Sequence, residues 1–581
     1  MRYLELFWNK KPMIVLLSLL LLIALGCGDS DTPAPVVIEK EVIKEVEVIK
    51  EVAVAVEVIK EVVVMPVHGG TLNIVTGTEM RQLDITRETS LANLQNLGPA
   101  HVGVLKQDTA NMTDIGTEQD VVADTAESWE FSEGGKVLTL KLKDGMTFHN
   151  GEPFTAEDVR YNLWRGRTSP NKIAFTRMNC LQTFVENEEA LDDTTVKLTL
   201  TFPTSIIISC LGNPWVAIQP KSVLKAIDDG GGEAPMKTIV GAGPFKFVGY
   251  NKGVDLTWER YDGYHDAGRP FVDEIKYFFV KDKGQRLAAL LTGKADMASV
   301  WPAFSREELQ TLKSKKPDKF DFLNVHGSSV WVVIFNLQKA PWDDVRLRKA
   351  VNMAIDQRAM GLSLFGEGAW AATVPFAGRG WDWIRPDSEW QELITAFPTP
   401  ADIEEAKRLV SEVTGGERLP VTVTYSNYYA KWAEVLVAQL KEIGIDVTLR
   451  GLDRTANVNA QRSGDFEITL QANSWPINDP FEPLTLLYLP DGGRNYGKWN
   501  SPQVADLYEK QLREFDLTKR GDLLRQIGDI IIEDMPLAYI ARTTFFYEIN
   551  SEVRGWTWAI AGHNNARMDH VWLERGRTFT K

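Results

Sequence analysis

From His68-Gly69-Gly70 onward the apolar pattern switches between period two and the helical period, which restricts the chain to folds that pack helices on sheets. Residues 137–143 (VLTLKLK) alternate apolar and polar, as a half-buried strand does. Thr155-Ala-Glu-Asp158 then has the form of a capping box opening a helix through Trp164. Asp343 or Asp344 caps a helix whose Leu347, Ala350, Val351, Ala354 and Ile355 share one face. Thr399-Pro400 starts another, with Ile403, Ala406, Val410 and Val413 turned inward. Residues 421–425, a helix over 429–443 stopped by Gly444, and residues 447–449 read as a βαβ unit. The expected class is α/β, in a mixed α+β form, distributed over more than one lobe.

The N-terminus supplies an address. Lys10 and Lys11 precede an apolar run, residues 13–25, that is too short to span a bilayer, and Gly26-Cys27 closes it. This resembles a bacterial lipoprotein signal, with residues 1–27 as the signal and Cys27 as the lipid-attachment residue; the alternative is an ordinary secretory signal. Both place the folded part outside the cytoplasm, on the periplasmic or cell-surface side. No other apolar stretch approaches the ~20 residues needed to cross a membrane. Of the three cysteines, Cys180 and Cys210 remain after Cys27, and in an oxidising compartment they form either a disulfide or two buried thiols. A net charge of -15 argues against nucleic acid as a partner.

Residues 28–68 are a low-complexity Glu/Val/Ile/Lys segment in which EVIKEV recurs from Glu41, Glu47 and Glu57. Val42, Val46, Ile49, Val52, Val56, Ile59 and Val63 stand three and four apart, which a helix would gather into one stripe. Their β-branching and the break at Ala53 and Ala55 work against that helix. The segment reads as a stalk, and a self-associating coiled coil is the sharper alternative.

A series of blocks then follows in order. Residues 128–159 (SWEFSEGGKVLTLKLKDGMTFHNGEPFTAEDV) are followed by GAGPFKF at 241–247, and Arg260 stands four before Tyr264. RLAALLTGKAD at 286–296, Phe335-Asn336 and DDVRLRKAVNMAID at 343–356 come next. GDFEI at 464–468, Trp475, Asp479-Pro480 and Asp534-Met535-Pro536 complete the set. Together they resemble the family 5 extracellular solute-binding proteins, the receptors of peptide, nickel and related ABC importers. Locally, Asn150-Gly151 makes a turn that lets Phe148 and Phe154 pack on either side of a corner, and Gly243 suits a positive φ where a strand bends. Arg346 and Arg348 read as solvated or locally paired surface.

The resemblance implies a two-lobed periplasmic-binding-protein-like fold with a hinge. It places a first lobe with an inserted subdomain at 69–335, a second lobe at 336–545 and a C-terminal return at 546–581, with crossings near 335–337 and 544–549. It also implies a solute, peptide foremost, held between the lobes and passed to ABC permease subunits. Candidate ligand contacts lie at strand ends and the loops after them: Thr76, Glu79, Trp301, Trp331, Arg379, Trp381, Trp383, Tyr425, Asn427, Tyr428, Trp475, Asn478 and Asp479. Aromatic planes suit side chains or sugar faces.

Family members that grip a free peptide amine carry an aspartate shortly after the Trp of that block; this slot is Pro476, with Asp479 the nearest carboxylate. The substitution favours neutral solutes, such as oligosaccharides or metal chelates, over peptides with free N-termini, because a buried ammonium needs a partner. Arg379 suits an anionic group. No Gly-x-Ser-x-Gly, His-Glu-x-x-His or Walker loop occurs, no His pair has metal-ligand spacing, and no cofactor or metal is expected. A secreted carboxylate-pair hydrolase remains the enzymatic alternative, since carboxyl separation is spatial.

Overall fold

The computed structural model describes residues 37–42, 59–87, 90–108, 121–168, 178–230, 239–299, 304, 306–366, 370–376, 381–475, 477, 479–556 and 566–574. They fall into two units, Met1–Met65 and Pro66–Lys581.

In the first unit Val37–Val42 and Ile59–Val64 pair as antiparallel strands, from Val37 opposite Val64 to Val42 opposite Ile59. Over these residues the backbone is extended, so the helical stripe weighed for the stalk does not form there. Val and Ile are β-branched and favour the pleated backbone.

The second unit is built on an eleven-stranded mixed sheet. Its path runs Phe245–Asn251, Asp255–Arg260, Glu274–Phe279, Thr71–Thr76, Met297–Ala298, Leu537–Asn550, Phe320–Phe335, Ile468–Asn473, Leu419–Ser426, Ile445–Leu452, with Trp370–Ala371 beside Leu537–Asn550. The βαβ unit forms as expected: Leu419–Ser426 lies parallel to Ile445–Leu452, joined by the helix Ala430–Glu442 and turned at Gly444 with φ +90.

Two long strands tie the sheet together. Phe320–Phe335 and Leu537–Asn550 pair antiparallel along most of their length, with a register break between His326 and Val330. Before the break the first strand has only Leu537–Asn550 as neighbour; after it Ile468–Asn473 joins on the other side, a few residues ahead of 335. Residues 330–335 (VWVVIF) are buried on both faces, which explains their unbroken apolar run. Val330, Val332 and Ile334 belong to one core, and Trp331, Val333 and Phe335 to the other. Leu537 and Tyr539 against Ala538 and Ile540 repeat the division on the partner strand.

A separate four-stranded antiparallel sheet, Ala126–Ser132, Val137–Leu142, Thr195–Leu200 and Val185–Asp192, carries the alternating run at its centre. The helix after it spans Ala156–Thr168, and the backbone N–H and hydroxyl of Thr155 both donate to Asp158 (3.0 and 2.7 Å). Cys180 and Cys210 form a disulfide, with S–S 2.01 Å and Cα–Cα 6.0 Å, between the short helices Asn179–Phe184 and Ile206–Leu211. Asp344 rather than Asp343 caps the helix Val345–Ala354, and Thr399 with Asp402 closes a full capping box on Pro400–Thr414. The segment 566–574 returns to the first core, held by Arg567 on Asp124 at 2.6 Å and by Tyr264, which donates to Asp569 at 3.1 Å.

Two local expectations need correction. Arg348 is buried, and its guanidinium donates to the carbonyls of Trp342, Asp343, Asp534 and Met535, clamping two segments; only Arg346 is exposed, paired with Asp344 at 2.6 Å. Gly243 does not adopt a positive φ; it and Gly241 are needed for close approach. A Cβ on Gly241 would stand 1.8 Å from the carbonyl oxygen of Ala100, and the Gly243 N–H donates to that same oxygen at 2.9 Å. Gly241→Ala is therefore expected to cost about 1–3 kcal/mol of unfolding free energy, read as a lower denaturant midpoint at unchanged slope.

Candidate functional site

The strand ends place the expected residues in three separate groups. On the side of Thr71–Thr76, Thr76 is buried and its hydroxyl accepts from Ser299 Oγ at 2.9 Å. Glu79 accepts from the Tyr250 hydroxyl at 2.7 Å and the Gly253 N–H at 2.8 Å. These bonds, the one from Tyr250 foremost, hold its carboxyl below the usual range, against the desolvation that would raise it. Glu79 thus ties this strand end to the hairpin formed by Phe245–Asn251 and Asp255–Arg260.

The second group is an aromatic ladder. Tyr428, 71% exposed, meets Tyr429 at 5.4 Å between centroids; Tyr429 stacks on Trp432 at 4.5 Å; Trp432 stacks on Trp331, which meets Phe365 edge-on at 4.4 Å. Trp331 is therefore the buried foot of the ladder rather than an open stacking plane. Tyr425 is buried one turn before it and Asn427 is exposed, both where Leu419–Ser426 runs into Ala430–Glu442.

The third group surrounds Trp475. Trp381 and Trp475 are buried with nearly parallel rings, 12° apart in tilt and 6.4 Å between centroids. Trp383 is half-buried, with the Arg520 guanidinium 5.9 Å from its ring. Asp479 is 0% exposed, and both its oxygens are bound by Arg520, at 2.9 and 2.6 Å, while the Phe481 N–H donates to it at 2.9 Å. Gln511 accepts from Arg520 Nε at 2.9 Å. Both oxygens of Asp479 are thus engaged, and an ammonium approaching them would have to displace a buried bidentate guanidinium. Trp301, Arg379 and Asn478, with Pro476, lie outside the described residues.

Sequence reasoning passed over two rungs of the ladder, Tyr429 and Trp432, and two arginines beside it, Arg454 and Arg494. Tyr429 hydrogen-bonds the backbone of Ala472, and Arg494 Nη1 donates to the Ala472 carbonyl at 3.4 Å and to Asn473 Oδ1 at 2.9 Å. Arg454 lies within electrostatic reach of both Tyr429 and Arg494. Tyr429 and Trp432 had been absorbed into a helix; Arg494 is a lone base in a Gly-rich turn, DGGRNYG, and that isolation was its only signal.

The match to known proteins now has a frame. Residues 120–495 match the model of the bacterial extracellular solute-binding proteins, family 5. The chain belongs to that family. It is 24% identical over 470 residues to the dipeptide-binding protein of Escherichia coli, covering 76% of this chain and 84% of that one. It is 26% identical over 514 residues to the oligopeptide-binding protein OppA of Bacillus subtilis, covering 82% and 87%. In structure it matches the periplasmic binding protein DppA of Helicobacter pylori, solved with the peptide STSA, at a TM-score of 0.69 and 22% identity, over 87% of this chain and 99% of that one. This family 5 chain therefore has the mixed α/β fold of the periplasmic binding proteins, and among its described residues no helix is long and apolar enough to cross a membrane.

Proposed function

We propose that this family 5 protein is the lipid-anchored receptor of an ABC importer, capturing peptides between two lobes and delivering them to the permease without chemical change. The observation that carries this reading is the family match over residues 120–495, with relatives named for dipeptide and oligopeptide binding. The two long strands, Phe320–Phe335 and Leu537–Asn550, serve as the hinge, with the register break between His326 and Val330 as its flexing point. Ligand touching both lobes favours the closed state by its differential affinity.

With Asp479 sequestered by Arg520, the peptide amine has no buried carboxylate there to neutralise it. Affinity is therefore expected to depend little on the charge of the peptide N-terminus. The experiment is a melting screen of paired free and N-acetylated peptides. A hundredfold excess over Kd stabilises by about 2.7 kcal/mol, both members of a pair should give similar shifts, and the peptide should be recovered intact. Catalytic release of fragments would favour a hydrolase instead.

Cys27 after Gly26 supports the anchor. Cys27→Ala is expected to move the protein out of the detergent phase or leave it uncleaved. A variant that partitions as the wild type does would end the lipoprotein assignment.

A further inference from the structure

A donor-rich, acceptor-poor corner lies where Ile468–Asn473 ends beside the aromatic ladder. Asn473 is 1% exposed, and its Oδ1 accepts from Arg494 at 2.9 Å. That bond fixes the orientation of the amide, because the opposite flip would set two donors face to face. Asn473 Nδ2 is then left buried with no hydrogen-bond partner among the described residues. A buried donor left unmade is costly, and natural structures keep few of them.

Charge tells the same story. Several arginines of this acidic chain sit against carboxylates, Arg165 and Arg520 among them. Among the described residues Arg494 has no carboxylate within ion-pair distance, and neither does Arg454, although the two lie within electrostatic reach of each other. Two like charges held near one another are unfavourable, and an anion beside them would relieve both. Tyr429, whose ring meets Tyr428, lies within electrostatic reach of both arginines.

We propose that Arg494 and Asn473 Nδ2, with Arg454 at the rim, form a subsite for a carboxylate of the bound solute. The planar fork of Arg494 suits two carboxylate oxygens, and the amide N–H supplies a third bond. This rests on the solute-receptor reading and narrows it to ligands that carry an acid group next to an apolar or aromatic surface. Recognition through the acid also agrees with the absence of an amine anchor at Asp479.

The test uses the full folded chain and defined probes: glycyl-tyrosine and its C-terminal amide, hippurate and hippuramide, and phenyl phosphate. Wild type is expected to be stabilised by the acids and not by the amides. Arg494→Gln should weaken the acids on the order of 10- to 100-fold while leaving any amide binding unchanged. Arg494→Lys, which keeps the charge and loses the fork, should fall between. A structural arginine would lower the melting point when removed; here ligand-free Arg494→Gln should melt higher than wild type, because an uncompensated charge is gone. Equal binding of acids and amides overturns the carboxylate subsite and leaves the receptor reading standing. So does a lower melting point with acid–amide discrimination intact. Preference for phenyl phosphate over both carboxylates overturns the carboxylate assignment. A panel in which nothing binds, peptides included, overturns the subsite together with the peptide reading.

Discussion

Asp479→Asn is expected to lower the unfolding free energy by about 3–5 kcal/mol, because it strands the buried Arg520 guanidinium without its counter-charge. Both carboxylate oxygens are engaged by Arg520, which also donates to Gln511. The loss should appear as a lower denaturant midpoint, and pairing the change with Arg520→Leu should recover a good part of it, since removing both charges avoids the stranded ion. Equal peptide affinity in whatever fraction stays folded would separate this pair from the ligand. A variant of full stability that fails to bind would reverse that assignment.

Glu548→Gln is expected to act in the opposite direction. Glu548, 4% exposed on Leu537–Asn550, is pushed up to about 8 by burial, with its backbone bond and Arg286 opposing the rise and Glu308 adding to it. An acid whose folded pKa lies above its unfolded value binds its proton in the native state first. Between about pH 4.5 and pH 8 the unfolded chain therefore holds fewer protons, and stability falls as pH rises. Across that window the loss amounts to about 5 kcal/mol. The glutamine variant should match wild type near pH 5 and melt clearly higher at pH 7.5 to 8. Parallel pH profiles for the two proteins would show that Glu548 is ionised in the folded state.

What could be read from the sequence was local. The strand at residues 137–142, the caps at Asp344 and Thr399, and the βαβ unit around Gly444 follow from patterns within a few residues of each other. The blocks that mark the family are of the same kind, which is why fold and family were legible together. The Asp479–Arg520 pair was not, because its partners stand 41 positions apart and nothing short-range couples them. Eighteen tryptophans looked like a supply of stacking planes, yet burial alone separates Trp331, Trp381 and Trp475 from an exposed ring such as Tyr428. The Val/Ile spacing before residue 65 fitted a helical stripe and a pleat equally well, and β-branching decided it for 37–42 and 59–64. Arg494 was missed because an unpaired charge is a property of its surroundings.

The order of the strands also bears on when this molecule can form. Leu537–Asn550, among the last strands in the chain, stands in the middle of the sheet, between Met297–Ala298 and Phe320–Phe335. Until the ribosome has made it, the two flanks of the sheet have no common strand, and the apolar face of residues 330–335 lacks its neighbour. Pairings that span hundreds of residues form late and slowly. The nascent polypeptide thus lacks the strand that joins the two flanks of its sheet until residues 537–550 have been made.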